Sequence, residues 1–472
     1  MRRPALAFLV LVAVAAFAFA AEERVLDDFD RLSGWKASAS DDAAVTVSPD
    51  EGAMRIDFAF PPVGGYVTVH KEFAVELPEN WAFTFRLRGE APDNHLEFKL
   101  IDPGAKNVWR RTYRDLHFPR DWEEMTVQKA RVDLAWGKAS GGKPTRVAAL
   151  EIAISTGSGG RGSVWIDDLR FEERAPASQY YRTLEVKASS ALPGHDPANV
   201  LDGDPTTGWK SGGGRREQWV QIDLLRDQEY GGLIIDWDPE DYATSYQLQT
   251  SEDGEEWAIA YLSTWGNGGR DYVYMPDAHS RYLRLLMQSS SRGEGYGING
   301  IQIEPFEFSR TPNDFFQAIA QDAPPGTFPK YFYGVQPYWT VVGAAGDDKE
   351  ALLSDDGVLE IEKESFTIEP FLFADAKLLG SSAVETRPSL EGGRLPIPSV
   401  NWRNEKVGLT VTAFAAGEAG ASTLYARYRV ESRSEVAQRV TLYLAVRPFQ
   451  VVPPWQSLNM AGGVSPISEL SS

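Results

Sequence analysis

The chain contains no cysteine. Disulfide staples, thiol nucleophiles, thiolate metal sites and a lipid-modified N-terminal cysteine are all excluded, so every domain must be held together by core burial. Its five histidines, His70, His95, His117, His195 and His279, never fall at metal-ligand spacing along the sequence. No G-x-S-x-G elbow occurs, and nothing in the sequence assembles a nucleophile, a base and an oxyanion site, so no catalytic residue is assigned. Basic runs are missing after the first residues and the net charge is −20, which argues against nucleic acid and anionic membranes as partners. The one long apolar run, Ala5 to Ala20, is shorter than the ~20 residues a membrane span needs, and no second run follows. The mature chain therefore has no predicted membrane span.

What is present starts with export. Met1-Arg2-Arg3, the apolar run and the small-x-small pattern Ala18-Phe19-Ala20 before Glu22-Glu23-Arg24 have the layout of a secretory signal peptide over residues 1–20. The protein is expected to be secreted or periplasmic. The chain carries 14 Trp, 18 Tyr and 23 Phe, a richness that suits β-sandwich cores and sugar-stacking surfaces alike. At about 150 residues per domain, 472 residues predict three domains.

Strand-length alternation runs throughout. Tyr66-Val67-Thr68-Val69, Leu96-Glu97-Phe98-Lys99-Leu100 and Val164-Trp165-Ile166 mark a first β-sandwich over 24–174, and Ala175-Pro176-Ala177-Ser178 reads as a linker. Trp219-Val220-Gln221-Ile222, Tyr246-Gln247-Leu248-Gln249 and Arg281-Tyr282-Leu283-Arg284 mark a second over 178–305, with a hairpin turn at Asp253-Gly254. Thr311 caps a predicted short helix opening with Pro312, inside a linker over 306–327. A third β-sandwich region, expected to be incomplete, fills 328–472. The fold class predicted is all-β: tandem jelly-roll, galactose-binding-like sandwiches followed by a third sandwich.

The second sandwich carries a specific resemblance. The blocks Ala198 to Trp209 (ANVLDGDPTTGW), Gln218 to Leu224, Ser245 to Trp257 and Arg281 to Leu285 resemble, in order and spacing, the discoidin or coagulation factor 5/8 type C family, whose bacterial members include the family 32 carbohydrate-binding modules. The resemblance implies a jelly roll that binds ligands and says nothing of catalysis. It implies a structural calcium ion beside the Asp-Gly-Asp turn, held by Asp202, Asp204 and Thr207, although Gly300 stands where the family often has a ligating glutamate. It also implies carbohydrate recognition by loops at one end, with Trp265, Arg292, Tyr296 and His195 as the candidate ligand-binding residues. An aromatic ring suits a sugar's C–H face, and Arg or His suits its hydroxyls. Trp209, Trp219 and Trp257 are read as core. The first sandwich resembles, through its end strands Leu26 to Phe29 and Trp165 to Phe171, jelly-roll modules that bind polysaccharides.

The remaining signals are read more plainly. Gly157 to Gly162 fits G-x-G-x-x-G but leads into a strand, and is expected to be a hairpin loop. Glu360, Glu362 and Glu364 are expected to line one solvated strand face. Tyr333 to Trp339, Asp355 to Glu360 and Arg447 to Gln456 resemble the β-sandwich preceding the α/α-barrel of large bacterial six-hairpin glycosidase-like proteins. The function expected is an exported carbohydrate-binding protein, the non-catalytic N-terminal portion of a glycan-processing protein. The alternatives are a glycoside hydrolase whose barrel is missing from the sequence, and a protein or cell-surface adhesion module.

Overall fold

Period-two alternation shapes most of the structure. In the strand Asn94–Ile101, Leu96, Phe98 and Leu100 are fully buried, which sends Glu97 and Lys99 to the opposite face of the sheet. The computed structural model describes residues 22–137, 142–174, 184–213, 217–456 and 462–470, and the predicted signal peptide and the linker at 175–178 lie outside them. Two units are separated at Phe306 and Glu307. The architecture is all-β apart from one α-helix among the described residues.

The first unit holds two sandwiches with separate cores. In the first, one six-stranded antiparallel sheet runs Ala44–Asp50, Ala53–Ala59, Arg161–Arg174, Asn80–Glu90 and Glu123–Gln128, with Glu22–Asp27 also paired to Arg161–Arg174. The facing sheet runs Asp133–Trp136, Val108–Leu116, Asn94–Ile101, Arg146–Ser155, Tyr66–Glu76 and Lys36–Ala39. Aromatic side chains fill the gap, as where Phe85 of one sheet stacks on Phe98 of the other at 5.6 Å. The strands flanking Gly157 to Gly162 belong to different sheets, so this loop is a crossover and not the expected hairpin. Asn94 fixes it, its Oδ1 accepting the N–H groups of Gly157 at 2.8 Å and Gly159 at 3.0 Å.

In the second sandwich a five-stranded sheet runs Glu185–Ala188, Gln218–Glu229, His279–Ser290, Ala243–Ser251 and Ala258–Ser263. It packs on a four-stranded sheet of Trp209–Lys210, Gly297–Glu304, Gly232–Trp237 and Arg270–Tyr274, around Trp209, Tyr230, Trp237 and Tyr246. The two sandwiches meet through charge. Arg131 donates to Asp277 at 2.9 Å and to the Pro276 carbonyl, and its guanidinium lies 4.5 Å from the Phe306 ring centre.

The second unit begins with the helix Pro312–Asp322, where Thr311 Oγ1 accepts the Asp314 N–H at 3.1 Å. Beyond it, the sheet containing Trp339–Gly343, Glu350–Ser354, Leu359–Glu360 and Thr367–Ala374 faces one of Glu385–Glu391, Leu395–Arg403, Val407–Ala416 and Thr423–Ser432. The expected solvated acidic face is absent. The strand stops at Glu360, whose side chain is fully buried, while Glu362 is exposed and Glu364 half-buried. The chain returns over Glu360, which accepts the N–H of Val451 at 2.6 Å and of Glu364 at 2.7 Å. Burial nonetheless raises its carboxyl above the usual range.

Candidate functional site

One end of the second sandwich is organised by the segment 238–242, which links the strands Gly232–Trp237 and Ala243–Ser251, and by the first residues of the latter. Asp238 Oδ1 accepts the N–H groups of Glu240 at 3.0 Å and Asp241 at 2.9 Å, and its other oxygen receives Lys210 Nζ at 2.8 Å. Burial raises the Asp238 carboxyl, but Lys210 and the two amides outweigh it and hold it below the usual range. Arg292 clamps the same segment, with Nη2 at 2.7 Å and Nε at 3.0 Å from Asp241 Oδ1 and Nη1 at 2.9 Å from Glu240. With one N–H of each guanidinium nitrogen directed at these carboxylates, Arg292 is a brace of the loop end.

Trp265 projects from the neighbouring loop and is 88% exposed. The backbone beneath it is pinned: the Gly266 N–H donates to the Thr244 carbonyl at 3.0 Å, and a Cβ on Gly266 would sit 2.0 Å from the Ala243 carbonyl oxygen. The Trp265 loop and Arg292 thus attach to the same stretch of chain, the loop at Thr244 and the guanidinium at Glu240 and Asp241. Tyr296 does not. It is 2% exposed and packs in the second core, because it shares the inward parity of Ile298 two residues on, and its N–H donates to Ser211 Oγ at 3.0 Å. A buried ring has no face for a sugar, which corrects the expectation. His195 bonds the Gly208 carbonyl at 3.2 Å through Nδ1, next in sequence to Thr207 of the Asp-Gly-Asp turn.

Asp202, Asp204 and Thr207 do converge. The Thr207 hydroxyl lies 2.7 Å from Asp202 Oδ2 and 3.0 Å from the Asp204 carbonyl, a cluster of three oxygens of the kind a hard cation takes. The Asp204 carboxylate turns away to accept the Thr206 N–H and hydroxyl at 2.9 and 2.7 Å. Gly300 adds no oxygen from its side chain. The donor set suits calcium in kind but supplies only one inward carboxylate.

Residues 185–301 match the F5/8 type C domain. Curated relatives are EGF-like repeat and discoidin I-like domain-containing protein 3 of Mus musculus and of Homo sapiens, each 27% identical over 125 residues, or 23% of this chain and 26% of theirs. The match therefore spans about a quarter of those relatives' length. Among solved structures, chitosan-binding module 1 of a Paenibacillus sp. IK-5 chitosanase/glucanase is 28% identical, covering 25% of this chain and 92% of that one with a TM-score of 0.24. A pectin-binding carbohydrate-binding module is 26% identical over 25% of this chain and 88% of that one, at a TM-score of 0.22. The family 11 carbohydrate-binding module of a Clostridium thermocellum cellulase is 13% identical over 34% and 99%, at 0.28.

Outside the F5/8 type C domain, the first sandwich carries a second candidate surface that the sequence reading missed. Cross-strand neighbours on one face of its outer sheet are Lys36 and Ser38; Tyr66, Thr68 and His70; Glu151, Ala153 and Ser155; Glu97 and Lys99; and Arg110. They form the floor of a shallow depression bounded by Trp136, 52% exposed, and Tyr66, 50% exposed. The charges are tied to one another, Lys99 to Glu151 at 3.0 Å and Glu97 at 3.3 Å, and Arg110 to Glu97 at 2.6 Å. Such a floor can exchange hydrogen bonds with hydroxyls while the two rings offer apolar faces.

Proposed function

We propose that the protein is an exported carbohydrate-binding protein whose F5/8 type C domain holds a sugar ring against Trp265. The observation that carries this reading is an indole 88% exposed on a loop whose backbone is fixed, which offers a rigidly placed flat face of the kind that stacks on a sugar's C–H face. Glu240 and Asp241, held in place by Arg292, lie in the same stretch of chain to which the Trp265 loop is tied, and supply carboxylates that can accept from hydroxyls. The sugar-binding names of the structural relatives agree with this direction. The apolar run Ala5 to Ala20 supports export, and the proposed role is that of the binding portion of a glycan-processing protein. The Asp202 turn is read as a structural calcium site.

A second reading places polysaccharide on the first sandwich, favoured by the polar floor between Tyr66 and Trp136. A glycan array probed with the full chain, followed by titration of Trp265→Ala and of Trp136→Ala, separates the two. Loss on Trp265→Ala alone supports the F5/8 type C site, and loss on Trp136→Ala alone moves the site to the first sandwich. Absence of any glycan binding overturns both and favours adhesion to protein.

A further inference from the structure

The opposite end of the F5/8 type C domain, where it meets the first sandwich, holds a cluster with no part in sugar binding. Asp227 comes from the strand Gln218–Glu229, His279 opens the adjacent strand His279–Ser290, and Glu252 follows the next strand, Ala243–Ser251. Three neighbouring strands of one sheet thus deliver one side chain each. The pairing register breaks between Asp223 and Gln228, and Leu225 takes a φ of 69°. An irregularity of this kind re-aims the side chains around it, here next to Asp227.

The ligand atoms of the three residues lie within 4.8 Å of one another. Asp227 Oδ1 and His279 Nδ1 are 3.4 Å apart, long for a hydrogen bond, and both are solvent-inaccessible atoms without any other partner. That separation has another meaning: two ligands each about 2.1 Å from a tetrahedral ion stand roughly 3.4 Å from one another. Charge points the same way. Arg174, from the last strand of the first sandwich, is held by Glu172 at 2.8 Å and Glu229 at 3.2 Å, so Glu172, Asp227, Glu229 and Glu252 surround one guanidinium.

We propose that Asp227, Glu252 and His279 bind a divalent transition-metal ion of the zinc type, which ties three strand ends together at the junction of the two sandwiches. One imidazole nitrogen with two carboxylates selects zinc or a similar ion over calcium, which takes oxygen alone. A fourth position is left for water. The ion replaces a proton or a vacancy of hydrogen bonding at Nδ1, and its two charges offset the surrounding carboxylates.

The test uses the full chain stripped with EDTA and titrated with ZnCl2, following both heat and melting temperature. Wild type, His279→Gln, Asp227→Asn and the control His117→Gln are compared, since His117 lies 2.9 Å from Asp93 on the surface and is the obvious adventitious site. Zinc should raise the melting temperature of wild type and His117→Gln, and each cluster variant should bind it at least roughly 10-fold more weakly, since losing even an outer partner of a metal ligand costs that much. Cobalt(II) should give wild type a visible absorption band that His279→Gln lacks. Should either variant fail to fold, Glu252→Gln, altered at an exposed side chain, provides the same comparison. Folded wild type that takes up no zinc, or zinc binding that the cluster variants retain, overturns the proposal. An Asp202→Ala protein should keep the full zinc response.

Discussion

Replacing Glu360 by glutamine is the sharpest test of the second unit. The native carboxylate accepts one backbone N–H at each oxygen, from Val451 at 2.6 Å and from Glu364 at 2.7 Å. Glutamine keeps a single acceptor and sets an NH2 group against the other donor. One buried N–H is then unsatisfied, at a cost of about 1–3 kcal/mol. For a unit of this size that corresponds to roughly 2–4 °C of melting temperature per kcal/mol. The pH dependence adds a second signature. Burial raises the folded carboxyl above its unfolded value, so its stabilising share is complete below the unfolded pKa and is lost as pH rises through the folded one. Wild type should lose that share on going from acid to neutral pH, and Glu360→Gln should lack it. Urea melts at several pH values, with hydrogen exchange at the Val451 and Glu364 amides, measure both effects. Equal stability of the two proteins at every pH, with equally protected amides, would refute the reasoning.

Trp265→Ala should reduce sugar affinity about ten-fold, equivalent to about 1.4 kcal/mol, with an unchanged melting temperature, as titration and calorimetry will show. Tyr296→Ala should do the reverse and destabilise the F5/8 type C domain by about 3–5 kcal/mol, the usual cost of emptying a buried aromatic site, seen in denaturant melts. Calcium added to EDTA-treated protein should raise the melting temperature, and Asp202→Ala should remove that response. Arg131→Ala should cost about 1–3 kcal/mol, because it strips a buried donor from Asp277 and the Pro276 carbonyl, and hydrogen exchange should speed up around residues 276–278.

Much of the fold was legible because alternation is local: Leu96 to Leu100 announces its strand and its inward face without reference to any other segment. The same locality explains the misses. Glycines around Tyr296 look like an open loop, yet its direction is set by the strand that starts just after it. Glu360 and Glu364 share parity with Glu362, but the strand ends at Glu360, and it is the return of Val451, some ninety positions on, that covers its carboxylate. Asp227, Glu252 and His279 have no spacing to recognise, since adjacency in the sheet alone unites them. The polar floor of the first sandwich was half visible: Glu97 and Lys99 alternate outward in plain sight, but Tyr66 and Trp136 join them only through strand order.

That floor crosses the six strands of its sheet, which at about 4.8 Å between neighbours makes it roughly 24 Å wide. A surface of such reach is matched to a polymer lying across the strands, and a lone monosaccharide would occupy only a fraction of it. Trp265, by contrast, presents one ring to one ring. If both surfaces take the same polysaccharide, the second engagement becomes intramolecular, and avidity rises with chain length in a way that neither surface produces alone. Short oligosaccharides, which engage one surface at a time, would then report the weak intrinsic affinity of each.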